Sequence, residues 1–534
     1  MKPLRICLIN PRVPASYWGM EHAVSVMSRT RQSYMVPGAL PALAALVPEE
    51  HEVVLLDENV EEIEIAALSR FDVIGVTGMI VQRERMFELL GLLRDLPARV
   101  ILGGPYVTVE EQRFEGLCDT RFIGEADTTW PAYLDDLAHG RPVAERYEQA
   151  NRTDMEAVPA PRYDALRRGG YRVASLQFSR GCPFLCEFCD IITIFGRKPR
   201  TKRPEQMLRE VEAIRAAGFD TCFLVDDNFI GNKKKDREFL LALKAWQEAN
   251  GYPIGFTTEA SINLADDPEF IGLMVDVGFR EVFIGIESPR PESLAETRKV
   301  QNTRGGDLGD KVRIVRDHGL TVQAGFIVGF DNDDARIFDE QFRFIQDTGI
   351  AKAAIALLTP IPSTPLYDRL KAEGRLDLSN DLLIFAPRQM DRGTLLKGYR
   401  ALLHRLYDPE TYFARLLDGY AASPGFRQRR GALNRKITAT RQRAGLPALA
   451  AAGPAMRFAR ALLPTVQGRA LMAAYWRAWR RNRALPGGIA IPFASFLGLC
   501  IEHRHFYLMA HTDDTNYIGQ SRTRAAAPAL AQTG

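Results

Sequence analysis

Histidine and cysteine are scarce in this sequence, eight and seven residues respectively among 534. An odd cysteine count does not build a disulfide framework, and the N-terminal "MKPLRICLINPRVP" carries an apolar run too short for a signal-peptide core. The expectation is a chain in the reducing cytoplasm, where clustered cysteines bind metal or catalyse. No H-x-x-x-H pair occurs, and His503 and His505, two apart, do not share a helix face, so no second metal site is expected. Internal repeats are absent. Acidic residues are missing from one long stretch: residues 425–501 hold fourteen Lys and Arg and no Asp or Glu. Because the chain's net charge is +3, the rest carries −11, which marks the C-terminal part as a separate unit.

What is present reads as several domains, since the length exceeds one ordinary core. Over the first 145 residues short β-branched runs, "LRICLIN", "EVVLLD", "DVIGVTG", "RVILGG" and "TRFIGE", alternate with amphipathic stretches such as "MFELLGLLRDL". This pattern predicts an α/β domain with a doubly wound, flavodoxin-like parallel sheet. Its ligand crevice lies at the carboxyl ends of the strands, at Asn10, Thr77, Gly78, Gly103, Gly104, Gly124 and Glu125, where glycines let a flat, bulky ligand approach. Residues 146–172 read as a linker. Residues 173–375 hold six further strand candidates, "ASLQFSR", "TCFLVDD", "IGFTTEA", "EVFIGIES", "VQAGFIVGF" and "AAIALLTP", separated by helix-sized segments. Six units are too few to close an eight-stranded barrel, and the expectation is an incomplete (βα)6 barrel. From 376 to 534 the sequence turns helical and Arg-rich.

The densest signal is "GCPFLCEFCD", where Cys182, Cys186 and Cys189 follow the first barrel strand with C-x3-C-x2-C spacing. A structural zinc site needs four ligands, and the other cysteines lie in a strand or in other domains. Three thiolates on one loop suit three irons of a 4Fe-4S cluster, leaving the fourth iron open to a substrate or cofactor.

C-x3-C-x-Phe-C after the first strand of such a barrel resembles the radical S-adenosylmethionine enzymes, as do "LVDDNFIGNKK", "TTEASINLADD", "VFIGIESP", "GFIVGFDND" and "PIPSTPLYDRL" along the later strands. With "VTGMIVQ" and "VILGGPYVT" in the first domain, nearly the whole chain resembles the cobalamin-binding subgroup that includes hopanoid methylases and bacteriochlorophyll side-chain methylases. The resemblance implies a 4Fe-4S cluster, S-adenosylmethionine and cobalamin as cofactors, with an electron donor such as flavodoxin or ferredoxin. It places Phe188 near the adenine and Asp226, Asp227 and Asn228 near the methionine amino end, with helix capping as the alternative for the carboxylates. Glu287 would sit at the rim within reach of the nucleoside or amino group, and Glu259 has a similar case. Thr77, Gly78, Gly103 and Gly104 would edge the corrin. The wider pattern's D-x-H-x-x-G loop is absent: "LINPRVPASYW" stands there, so no His ligand to the lower face is expected.

The implied chemistry is methylation of an unactivated carbon of a lipid, pigment or natural product; a cyclase or oxidative rearrangement with cobalamin in a non-methylating role is the alternative. A non-catalytic cofactor carrier is the more distant reading. The basic run "GRKPRTKR" after the cysteines reads as a solvated face. The acid-free C-terminal stretch, with "AAYWRAWRRNR" and the charge-free "ALPGGIAIPFASFLGLCI", reads either as an interfacial element peripheral to the inner membrane or as a helical cover over the barrel mouth. No nucleic-acid-reading motif accompanies the charge, and nucleic acid is not an expected partner.

Overall fold

The computed structural model describes residues 2–28, 32–167, 169–380, 383–443 and 452–512. The first sheet has six parallel strands in the order Glu52–Asp57, Arg5–Asn10, Val73–Thr77, Arg99–Gly103, Thr120–Ile123, Arg146–Glu148. Its inner strands read as continuous apolar runs because helices cover both faces: Ile6, Ile9, Ile74 and Leu102 are fully buried or nearly so. The sixth strand, Arg146–Glu148, falls where the sequence reads as linker. It is three residues long and polar, so no periodicity announces it.

The second sheet curls as an open barrel of parallel strands in chain order: Tyr171–Leu176, Thr221–Leu224, Gly255–Ala260, Phe279–Glu287, Thr321–Val328, Lys352–Leu357. The six expected units are present. A seventh strand is added at the open edge by Ser33–Met35, which pairs with Tyr171–Leu176 through Ser33–Tyr171 and Met35–Val173. It lies in an excursion between the first strand of the first sheet and that sheet's helix Ala39–Ala45, so the amino-terminal domain completes the barrel's edge.

In the strand Phe279–Glu287, Val282, Ile284 and Ile286 are buried toward the helices while Glu281, Phe283 and Gly285 face the partly open barrel interior, as the two-residue period requires. Helices Arg392–Leu406, Pro409–Ala421, Val466–Arg483 and Phe493–Ala510 form a cap. The expected cover over the barrel mouth is found at the opposite end: Glu502 joins Lys352 (3.1 Å) and through it Glu281 (2.8 Å), and Tyr17, whose carbonyl meets His505, bonds Gln323 (2.8 Å). Glu281, Gln323 and Lys352 stand near the amino ends of their strands, so the cap closes the base. His503 and His505 are core residues; burial lowers their pKa values to about 3 and about 4.

Candidate active site at the junction of the two sheets

The cysteine loop is a pinned excursion. Ser179–Arg180 pairs with Arg200–Thr201 in a two-residue antiparallel ladder that closes the loop at its neck. Inside it, Gly181 donates its amide to Asp227 (2.7 Å), Cys182 donates to the Gly196 carbonyl (3.2 Å), and Glu187 donates to the Thr297 carbonyl (2.9 Å). The Glu187 carboxylate is buried and gripped by Arg369 at 2.7 and 3.1 Å, and Arg369 also holds Asp331. The loop is thereby fixed to the end of strand two, to the turn after the helix that follows strand four and, through Arg369 on the helix after strand six, to Asp331 after strand five. All three cysteines are half-buried. Burial pushes the Cys189 thiol up to about 12 and raises that of Cys182, so iron must displace a proton to bind there. Thiolates that each bind a different iron need not converge on one point, and no group of three or more His, Cys, Asp or Glu is placed to hold one ion among the described residues.

The carboxylates beside the loop divide into two kinds. Asp226 is 1% exposed and uses both oxygens internally, accepting from the Phe178 amide and the Ser179 hydroxyl, both at 2.7 Å; burial pushes its pKa to about 7. Asn228 accepts from the Ser261 amide (3.0 Å) and ties strand two to strand three. Neither aspartate caps the following helix, Lys233–Asn250, where Asn232 performs that role, so the capping alternative is set aside. Asp227 spends one oxygen on Gly181 and faces the cavity. Glu259, by contrast, makes no side-chain hydrogen bond or ion pair among the described residues; burial, with Asp227 and Asp226 adding to it, pushes its pKa to about 7.

Glu287 ends strand four with φ +65°, a backbone conformation unfavourable for a residue with a side chain, and is 7% exposed. Its partner is Lys299 at 2.6 Å, a buried cation absent from the sequence reading. Burial works against the Lys299 charge, but Glu287, with Cys186 and Cys189 adding to it, outweighs burial and holds the ammonium above its ordinary pKa. Lys299 Nζ also stands 5.7 Å from the centre of the Phe188 ring, within cation–π range. Gly285 makes the pair fit: a Cβ there would come 2.3 Å from a Glu287 oxygen and 2.8 Å from the Lys299 nitrogen. A lone lysine in "AETRKVQN" carries no signal in sequence, since only the turn after strand four brings it to the cysteines.

A cavity of about 550 Å³ lies between the sheets, edged by Thr77, Gly78, Gly103 and Gly104 on one side and by Arg180 and Asp227 on the other. The glycines serve different ends. Gly104 has φ +97° and a Cβ there would lie 2.5 Å from Thr77 Oγ1, while at Gly78 it would meet Met86 Sδ at 2.7 Å, so internal packing already requires both. At Gly103 a Cβ would meet only ordinary contacts, the nearest Phe122 at 3.5 Å, which leaves the open approach to a flat ligand at that position. The lining is mainly apolar and contains no histidine among the described residues, so the donor set suits a corrin held by its faces and edges rather than through a protein imidazole. Across the cavity's end Glu125 accepts from Arg180 (3.0 Å) and Arg200 (3.1 Å), and Asp127 from Arg180 (2.7 Å). The basic run expected to be a solvated face is thus partly turned inward: Arg200 takes this bridge, and buried Lys202 pairs with Glu210 at 2.7 Å. Sequence gave no hint of that pairing, because a charge run looks the same whether its partners are water or distant carboxylates.

The family model of the radical SAM superfamily matches residues 176–345, that of the B12 binding domain residues 24–134, and a domain of unknown function, DUF4070, residues 364–514. An uncharacterized methyltransferase of Synechocystis is 39% identical over 77% of this chain and 78% of its own length. A hopanoid C-2 methylase of Rhodopseudomonas palustris is 32% identical over 77% and 78%. Among solved structures, the cobalamin-dependent S-adenosylmethionine radical enzyme OxsB, with aqua-cobalamin and S-adenosylmethionine bound, superposes with a TM-score of 0.60 at 14% identity, covering 95% of this chain and 80% of that one. Two sheets that frame one cavity, each matched by its own family model, and relatives that align across three quarters of the sequence make the chain a member of the cobalamin-binding radical S-adenosylmethionine enzymes, in the subgroup that includes the hopanoid methylases.

Proposed function

We propose that the enzyme methylates an unactivated carbon of an apolar small molecule, such as a lipid, pigment or natural product. The observation that carries this reading is the single cavity running from Gly103 to Asp227, which brings the corrin crevice to the edge of the cysteine loop. When bound, the 4Fe-4S cluster, S-adenosylmethionine and cobalamin supply reductive sulfonium cleavage, hydrogen abstraction and methyl delivery. The chain's own residues position and exclude. Cys182, Cys186 and Cys189 hold the cluster; Asp226 and Asp227 keep its loop in register, while Asn228 braces strand two against strand three; Glu259, with no internal partner, is free to receive the ammonium of S-adenosylmethionine. Lys299, held by Glu287, offers a cation to the carboxylate, and Phe188 offers a face to the adenine. Thr77, Gly78, Gly103 and Gly104 edge the corrin.

Below Glu287 on the same strand face, Phe283 lies against Trp18 with ring centres 4.9 Å apart, and a Cβ on Gly325 would meet the Phe283 ring at 2.8 Å. This aromatic floor favours an apolar substrate, and the names of the similar methylases point the same way. The electron comes from a donor such as flavodoxin or ferredoxin. Incubating reduced, cofactor-loaded enzyme with extracted lipids and pigments tests the reading: methyl transfer yields S-adenosylhomocysteine together with 5′-deoxyadenosine and a product heavier by one methylene. Turnover that releases 5′-deoxyadenosine with no S-adenosylhomocysteine and no methylated product favours cyclisation or rearrangement instead.

A further inference from the structure

None of the described residues of the acid-free, Arg-rich part of the chain lines the site, yet its helix Val466–Arg483 is built with two distinct faces. Leu471, Tyr475, Ala478 and Asn482 are buried in the cap. Positions 466, 469, 473, 476, 480 and 483, spaced alternately three and four apart, form the outer stripe, and all six are exposed: Val, Arg, Ala, Trp, Arg and Arg. Trp476 is 62% exposed. Beside the stripe Trp479 packs against Phe493 at 5.5 Å, and Phe493 is itself 54% exposed. At the flank Arg477 and Arg481 reach Glu410 and Asp418 on the neighbouring helix, but Arg480 and Arg483 on the stripe have no carboxylate partner among the described residues.

We infer that this face docks in the plane of a bilayer surface containing anionic lipid. The helix already buries one full side, so the exposed aromatics are not a core awaiting closure. Tryptophan and arginine both combine an apolar body with a polar tip, the character that a headgroup boundary accommodates, and unpaired arginines complement anionic lipid. A second copy would set arginine against arginine, and a polyanion such as nucleic acid would leave the apolar side chains without an apolar partner. The inference is independent of the proposed methyl transfer.

The test is co-sedimentation of the full-length protein with phosphatidylglycerol/phosphatidylcholine vesicles or phosphatidylcholine vesicles at low and high salt. Binding is expected to the anionic vesicles at low salt, with release as salt rises. Trp476→Ser with Phe493→Ser, and separately Arg480→Gln with Arg483→Gln, are each expected to weaken it about ten-fold. Arg480→Gln with Arg483→Gln, both exposed, should unfold at the wild-type temperature, whereas the other pair loses the Phe493–Trp479 contact and should unfold slightly lower; two independent pairs guard against one that fails to fold. Absence of wild-type binding to anionic vesicles at low salt overturns the inference. So does binding unchanged in both variants, tighter binding to a duplex oligonucleotide than to vesicles, or a concentration-dependent dimer that shields Trp476 from an aqueous quencher.

Discussion

Asp226 is a carboxylic acid placed where its anion is costly. Its pKa stands near 7 because burial penalises the charge, so its contribution to stability is full below its unfolded pKa and is lost as the pH rises through about 7. Asp226→Asn does not titrate, and the Ser179 hydroxyl can reverse its hydrogen bond to suit the amide. The variant is therefore expected to match wild type near pH 4 and to exceed it by about 4 kcal/mol above pH 7, measured by denaturant unfolding, with S-adenosylmethionine affinity unchanged at neutral pH. Parallel pH profiles would contradict the internal role. Lys299 makes the opposite case. Lys299→Met leaves the Glu287 carboxylate buried and alone, and is expected to cost about 3 kcal/mol of stability and to weaken S-adenosylmethionine binding at least about ten-fold, whereas Lys299→Arg retains most of both. Calorimetric titration of cluster-loaded protein decides it: wild-type affinity in the methionine variant removes Lys299 from the site. The cysteines were legible in sequence because one loop's spacing states their chemistry. Lys299 was not, since its meaning depends on a partner twelve residues back that only the turn after strand four returns to it.

At the scale of elements, the strand ends of the first sheet show that like residues need not do like work. Gly103→Leu adds bulk where the Cβ meets only ordinary contacts, so it should abolish cobalamin binding while the unfolding temperature barely moves. Gly104→Ala imposes a Cβ on a left-handed backbone and drives it into Thr77, so it should lose about 1–3 kcal/mol of stability whether or not cobalamin is present. Visible absorbance of the bound corrin and a thermal unfolding curve separate the two; equal destabilisation by both substitutions would remove the distinction. Sequence placed all five long strands of the first sheet and all six of the barrel, because short segments rich in β-branched and apolar residues and bounded by turns are a local property. It missed Ser33–Met35 and Arg146–Glu148, three-residue edge strands whose only reason to be extended is the neighbour they pair with.

For the whole molecule, the contact that matters most is the bridge from Arg180, at the neck of the cysteine loop, to Glu125 and Asp127 at the end of the first sheet. It fixes the corrin side of the cavity against the cluster side. Arg180→Ala strips Asp127 of its ion pair and leaves Glu125 only Arg200, and is expected to cost about 3 kcal/mol and to open the segment around residues 149–170 to limited proteolysis; resistance equal to wild type would show that the sheets are held by other means. What the sequence determined by itself was whatever chemistry or periodicity is local: the three cysteines on one loop, the alternation of strand and helix in two series, and the missing acids of the C-terminal stretch. Tertiary structure alone decided which carboxylates are spent inside the fold and which stay free, which glycines serve packing and which leave a ligand room, and that the helical cap closes the base rather than the mouth. Each of these depends on a partner far along the chain, and partners are chosen by packing and burial, which no window of sequence contains.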